Sequence, residues 1–253
     1  MPGTRPMFAR TALALLPLCL AAAPAVAPPS AMQPSTQPRS LIKVSGAVPP
    51  EKPGGASDAL TVLLDVNDAP DLKPWALTAA DYAIKQYPVI AARLATDGFT
   101  PPRQFTIVFR EMKGVANTAR DRITVSAAYA RAHPDDLGMI AHELTHVIQR
   151  YPRGAGPGWL TEGIADYVRY YVVEPGSKRA RFNADRSNYD SGYQASAGFL
   201  NYLETAHPGV VSKLNQALRT HTYTADTLKT LIGGDPADLW QQFKASLKSP
   251  QPK

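Results

Sequence analysis

His142-Glu143-Leu144-Thr145-His146 places two imidazoles four residues apart with a glutamate beside the first, and Glu162 follows after fifteen intervening residues. On a helix, positions i and i+4 share a face, so His142 and His146 can grip one metal ion while Glu143 handles protons. Glu162, within Trp159-Leu160-Thr161-Glu162-Gly163-Ile164-Ala165-Asp166-Tyr167, supplies the carboxylate that such a site still lacks. Two histidines, one glutamate and a fourth position left to water describe a catalytic zinc site, with one Zn2+ per chain. Such an ion brings the pKa of a water to about 7 and polarises a carbonyl. Glu143, the expected catalytic base, would take that water's proton and later deliver it to the leaving amine.

These residues need two helices to position them. Pro134, Asp135 and Asp136 suit a helix start, and Pro152 and Gly154 a stop. Between them Ile140, Leu144, Val147 and Tyr151 form an apolar stripe, whereas His142, His146 and Gln149 form a polar one, so Gln149 is expected to support the histidines from outside the metal's ligands. The Pro- and Gly-rich Pro152–Gly158 run reverses the chain, and Leu160, Ile164, Val168 and Tyr171 repeat helically until Glu174-Pro175-Gly176. Glu162 and Asp166, one turn and about 6 Å apart, can both look toward the histidines. Glu162 is assigned to the metal and Asp166 to the outer nitrogen of a histidine ring. On spacing alone the reverse assignment stays open. Gly163 is expected where the two helices approach closely.

Beyond this motif, His142–Gln149 (HELTHVIQ), Pro157–Arg169 (PGWLTEGIADYVR), Tyr189–Leu200 (YDSGYQASAGFL), Val211–Leu218 (VSKLNQAL), Leu231–Phe243 (LIGGDPADLWQQF) and Gly114–Ser126 (GVANTARDRITVS) form a series of blocks. In combination they resemble the plant basic secretory proteins and their bacterial relatives, the peptidases of plants and bacteria within the zincin group. The resemblance covers roughly residues 58 to 248. It departs at Tyr189 and Asn183, where tryptophan is expected, and at Asn117, where tyrosine is expected; these positions concern substrate rather than metal. The resemblance implies an α+β zincin-like domain: a small sheet and active-site helix followed by a helical C-terminal half. It also implies an extended peptide substrate pairing with the strand in Gly114–Ser126, with Ala116 and Asn117 as contacts. Tyr193, placed across the cleft, becomes the candidate donor to the tetrahedral oxyanion. His133, His207 and His221 lie by prolines or in polar turns and are expected at the surface.

The remaining chain supports a single domain over residues 57–250. Leu60–Val66, Phe105–Phe109 and Arg122–Ser126 read as strands. Pro74–Leu94 reads as a helix built on Trp75, Leu77, Tyr82, Ile84, Tyr87, Ile90 and Leu94, with a break at Pro88. Ala195–Thr205, Gly209–Thr220, Ala225–Ile232 and Pro236–Leu247 read as helices. Residues 1–27 carry Arg5 and Arg10 before an apolar run too short for a membrane span, which suits a cleaved secretory signal. Residues 28–56, dense in Pro, Ser, Ala and Gln, read as a disordered spacer. Cys19, the sole cysteine, leaves with the signal, so no disulfide is expected, and Leu18 before it disfavours lipidation.

The formal charge of +6 falls by two with the signal. That surplus suits weak attraction to anionic envelope or cell-wall polymers, and no dense basic run or basic-aromatic ladder argues for nucleic acid. A secreted or periplasmic zinc peptidase without a stable membrane anchor, acting on peptides or proteins, is the expected function. Two other readings are a non-catalytic binding or defence protein on the same scaffold and a metal-dependent amidase acting on cell-wall peptides. Retention of Glu143 beside the ligands argues against the first, because a scaffold needs no base.

Overall fold

A computed structural model of the chain describes residues 39–48, 58–177 and 181–248. The segments read as a signal peptide and most of the spacer, including Cys19, lie outside the described residues. The described residues belong to one compact unit that begins at Arg39.

Five strands form one sheet: β1 (Ile42–Val48), β2 (Asp58–Asp65), β3 (Gln104–Arg110), β4 (Ala116–Ala119) and β5 (Arg122–Ser126). Their order is β1-β2-β3-β5-β4, with β2, β3 and β5 parallel and the two edge strands antiparallel to their neighbours. One rung of the register runs Ile42, Leu64, Ile107, Ile123 and Thr118. Leu64, Ile107 and Ile123 are fully buried, so this rung faces the core and carries Thr118 toward the helical layer at the edge.

Strand β1 lies within the stretch read as a disordered spacer. Its alternation of half-buried and exposed residues gives only a weak apolar signal, ending in the buried Val48.

Helix α1 (Lys73–Arg93) connects β2 to β3 and packs on β1, β2 and the active helix. Its buried stripe is largely alanine, Ala76, Ala79, Ala80 and Ala83, continued by Tyr87 and Ile90. Small side chains bring α1 close to its neighbours, while Leu77, expected in the stripe, is exposed. No break occurs at Pro88; the helix continues through it.

After the short helix α2 (Ala127–Ala132) comes α3 (Gly138–Gln149), which bears the two histidines. The expected start at Pro134–Asp136 is displaced, because Asp136 is buried and accepts hydrogen bonds from Tyr129 Oη (2.7 Å) and Arg169 Nη2 (2.6 Å) rather than capping the helix. The expected two-sided helix is corrected as well: every residue of α3 except His146 is buried. It is enclosed by α1, β4, β5 and the next helix, so its polar stripe faces an internal cleft and not open solvent.

Helix α3 stops at Arg150, in the left-handed region (φ 40°), before Pro152 is reached. Helix α4 (Gly158–Tyr167) comes next and passes into a π-helical turn, Val168–Val173. The C-terminal half consists of α5 (Tyr193–Ala206), α6 (Val210–Arg219), α7 (Thr227–Ile232) and α8 (Pro236–Lys248), within one to two residues of the expected spans. Phe182, Phe199, Trp240 and Phe243 form its aromatic core.

Arg219, nearly buried at the end of α6, donates to the carbonyls of Ile148 (3.1 Å), Gln149 (3.3 Å) and Leu94 (2.6 Å). These carbonyls close α3 and α1, so one cation binds two helix ends, with Asn215 Nδ2 sharing the Leu94 carbonyl (3.1 Å).

Candidate active site

On α3, His142 and His146 present their Nε2 atoms 3.1 Å apart. From α4, Glu162 Oε2 stands 3.2 Å from His142 Nε2 and 3.4 Å from His146 Nε2. The three side chains form a group able to hold a metal ion. A zinc ion at about 2.0–2.1 Å from tetrahedral ligands separates those ligands by roughly 3.3 Å, which all three distances approach.

The outer ring nitrogens are fixed too. His142 Nδ1 donates to Asp166 Oδ1 over 2.6 Å, and His146 Nδ1 donates to Gln149 Oε1 over 2.7 Å. Gln149 in turn donates from Nε2 to the Thr161 carbonyl (3.1 Å), tying α3 to α4 one residue before Glu162. Each ring therefore aims its Nε2 at the common point. Asp166 contacts His142 from outside, and Glu162 is the carboxylate at that point.

The electrostatics suit a cation. Burial would lower the pKa of His142, but hydrogen bonds to Asp166 and Glu162 and the charges of Asp166 and Glu143 outweigh it and carry the value up to about 9. Burial likewise disfavours the Glu162 carboxylate, yet hydrogen bonds from His142 and His146 hold it well below the usual carboxylate range. In the protein alone the positive charge that these carboxylates favour is a proton on His142. A metal ion replaces it.

The family model described as peptidase of plants and bacteria matches residues 76–243. The chain belongs to this family. Both metal-site helices and the aromatic core of the C-terminal half fall inside the matched span. No curated protein matches the chain.

The fold of this family member is that of zinc metallopeptidases. A two-domain M1 zinc metallopeptidase, crystallised as a glutamate-to-alanine mutant bound to L-tryptophan, is 15% identical with a TM-score of 0.50. The same kind of mutant bound to L-arginine is 14% identical, also with a TM-score of 0.50. In both, the likeness covers 84% of this chain and 53% of the other, so the chain spans about half the length of the solved structures it matches.

Around the three converging side chains lies a cleft of about 930 Å³, lined by Ala116, Asn117 and Thr118 of β4, by α3 and the loop after it, and by Tyr193. Strand β4 is the sheet edge, with β5 on one side, so its other side is available for backbone pairing. Ala116 and Asn117 thus line the cleft on the edge strand.

Tyr193 begins α5 with φ 45°, next to Gly192 at φ 79°. The Gly192 N–H donates to Ser196 Oγ (2.8 Å), and Ser196 Oγ donates to the Tyr189 carbonyl (2.6 Å), which fixes this turn. The Tyr193 ring is 58% exposed and lies parallel to the His142 imidazole with centroids 6.3 Å apart. The nearby Glu162 charge, with burial and Asp166, raises its pKa and keeps the phenol a donor.

Two expectations need correction or addition. Gly163 does not serve the approach of α4 to α3; a Cβ there would lie 2.7 Å from Ser196 Cβ, so it admits α5. Thr118 is absent from the sequence reading, although its Oγ1 lies 2.6 Å from Glu143 Oε2. The alternation of β4 could have put it on the inner face, but nothing local ties that strand to the base. His133 and His221 are exposed and His207 half-buried, and none joins the metal-site group.

Proposed function

We propose that this chain is a secreted zinc-dependent peptidase that hydrolyses peptide bonds with Glu143 as general base. The observation that carries the reading is the triangle of His142 Nε2, His146 Nε2 and Glu162 Oε2, with sides of 3.1, 3.2 and 3.4 Å beside an unliganding glutamate on the same helix. His142, His146 and Glu162 would hold one zinc, which when bound lowers the pKa of a water and polarises the substrate carbonyl.

The remaining work falls to the chain's own groups. Glu143, on α3 but outside the triangle, accepts the water's proton and returns it to the departing amine. Asp166 and Gln149 keep the two imidazoles in the tautomer that leaves each Nε2 lone pair pointing inward. Edge strand β4, through Ala116 and Asn117, holds the substrate backbone extended across the cleft. Tyr193 donates to the oxyanion as charge develops there. Export through residues 1–27 rests on the sequence, with Arg5 and Arg10 ahead of the apolar run.

Metal content of the purified full chain, and release of amino groups from a mixed protein substrate before and after chelation, test the proposal. Expected are one zinc per chain and hydrolysis that chelation removes and added zinc restores. Bound zinc without hydrolysis would favour a binding protein, and hydrolysis confined to cell-wall peptides an amidase.

A further inference from the structure

The β4–β5 turn consists of Arg120 and Asp121 alone. Two-residue hairpin turns favour asparagine or glycine because they demand positive φ, yet Arg120 adopts φ 54° here. Arg150 ends α3 at φ 40°, where glycine is usual. Arg153 lies in the next loop. All three line the end of the cleft where the hairpin tip meets the C-terminus of α3.

Their charges are not equivalent. Arg150 donates to Asp121, which ties the helix end to the hairpin tip and neutralises that pair. Arg120 and Arg153 face no carboxylate partner among the described residues. Glu143 and Glu162 line the same cleft, and in the adjoining pocket, which shares His142, Glu143 and Tyr193 with it, Arg169 is paired with Asp136. The arginine end is thus the part of the cleft with uncompensated positive charge, with Arg120 at a turn position whose positive φ disfavours a long side chain.

Resting on the peptidase reading above, we infer that Arg120 and Arg153 form a subsite for a carboxylate, and that the enzyme selects peptides with Asp or Glu on the N-terminal side of the cleaved bond. The direction comes from pairing. Antiparallel ladders are the more stable kind, and a peptide antiparallel to β4 passes Arg120 first and Ala116 last. Residues before the scissile bond therefore lie by the arginines. The shallow, exposed setting makes this a preference and not an absolute requirement.

The test uses the zinc-loaded full chain and quenched fluorescent peptides with both ends blocked, differing only in Glu or Gln at positions before or after the bond that mass spectrometry shows to be cut. A further peptide has no acidic side chain but a free C-terminal carboxylate. The expected result is a kcat/KM ratio for Glu over Gln of about 3 to 10 before the bond, shrinking as salt is raised. In the Arg120→Asn/Arg153→Gln double variant, whose asparagine tolerates positive φ, the ratio should fall to about one. The loop variant Arg153→Glu should also lower it, which keeps the test alive if the double variant does not fold. A ratio of one in the wild type, an unchanged ratio in both variants, or a preference confined to the free C-terminal carboxylate would overturn the inference. Failure to cut any peptide would instead overturn the peptidase reading and this inference with it.

Discussion

Thr118 Oγ1 lies 2.6 Å from a carboxylate oxygen of Glu143 and 3.1 Å from its backbone carbonyl, so the one hydroxyl proton goes to the nearer carboxylate and ties the edge strand to the proposed base. The grip is a product of register: Thr118 ends the rung whose inner members are Leu64, Ile107 and Ile123. Donation to the carboxylate fixes its rotamer against α3. Strand β4 would then both align substrate and orient the group that deprotonates water.

Thr118→Val should therefore lower kcat by about tenfold with zinc content unchanged, because shape and β propensity are preserved while the donor is lost. Thr118→Ser should recover most of the rate. Recovery by Ser separates positioning from packing, because Ser restores the donor but not the branched shape. An unchanged rate in the Val variant, or a loss that Ser does not recover, would confine Thr118 to a structural role.

The metal site was legible because its residue types are rare in combination and its spacing matches one turn of helix. His142, His146 and Glu162 converge, and Asp166 and Gln149 reach the outer ring nitrogens, whereas spacing alone left Glu162 and Asp166 interchangeable. The features that escaped depend on partners distant in sequence. The first half of the buried stripe of α1 is made of alanines, whose burial no periodicity of large residues announces. Asp136 resembles a helix cap until Arg169 and Tyr129 are known to claim it. Thr118 acquires meaning only when β4 is laid against α3.

Glu143→Gln should retain one zinc per chain while losing at least about 10²-fold in hydrolysis, because the amide keeps the shape of the side chain and loses its basicity. Zinc analysis beside single-turnover cleavage decides the matter. Appreciable turnover would sink the assigned mechanism, and loss of zinc would make Glu143 a ligand or a determinant of the fold.

The two carboxylates of α4 should behave differently in a metal titration. Glu162→Ala removes an atom from the triangle and should lose most of the metal. Asp166→Asn leaves the triangle intact but replaces the partner of His142 Nδ1, and should weaken affinity or rate by about 10- to 100-fold. The opposite order would place Asp166 on the metal.

Gly163 offers a test of packing apart from chemistry. With Ser196 Cβ only 2.7 Å from the position a Cβ would take, Gly163→Ala forces α4 and α5 apart. A loss of about 1 to 3 kcal/mol in stability is expected, read as a lower midpoint in urea with an unchanged slope. Because Ser196 also fixes the turn before Tyr193, the rate should fall as well. Full stability in that variant would mean that the two helices adjust freely.

Tyr193 carries the boldest assignment, and its setting distinguishes two behaviours. A ring that merely packed would be buried; this one is 58% exposed, sits at φ 45°, and lies parallel to a proposed ligand's imidazole. If its hydroxyl donates to the oxyanion only as charge develops, Tyr193→Phe should lower kcat by about 10² to 10³ with KM and zinc content nearly unchanged. Tyr189→Phe is the control, because Tyr189 packs edge-on against Trp159 with centroids 5.6 Å apart and is placed in no chemical step. Its loss of a hydroxyl should appear at most as a small change in thermal midpoint. Steady-state kinetics of the two variants side by side read the difference. Equal losses in both, or full turnover in Tyr193→Phe, would leave the oxyanion without this donor and return Tyr193 to the wall of the cleft.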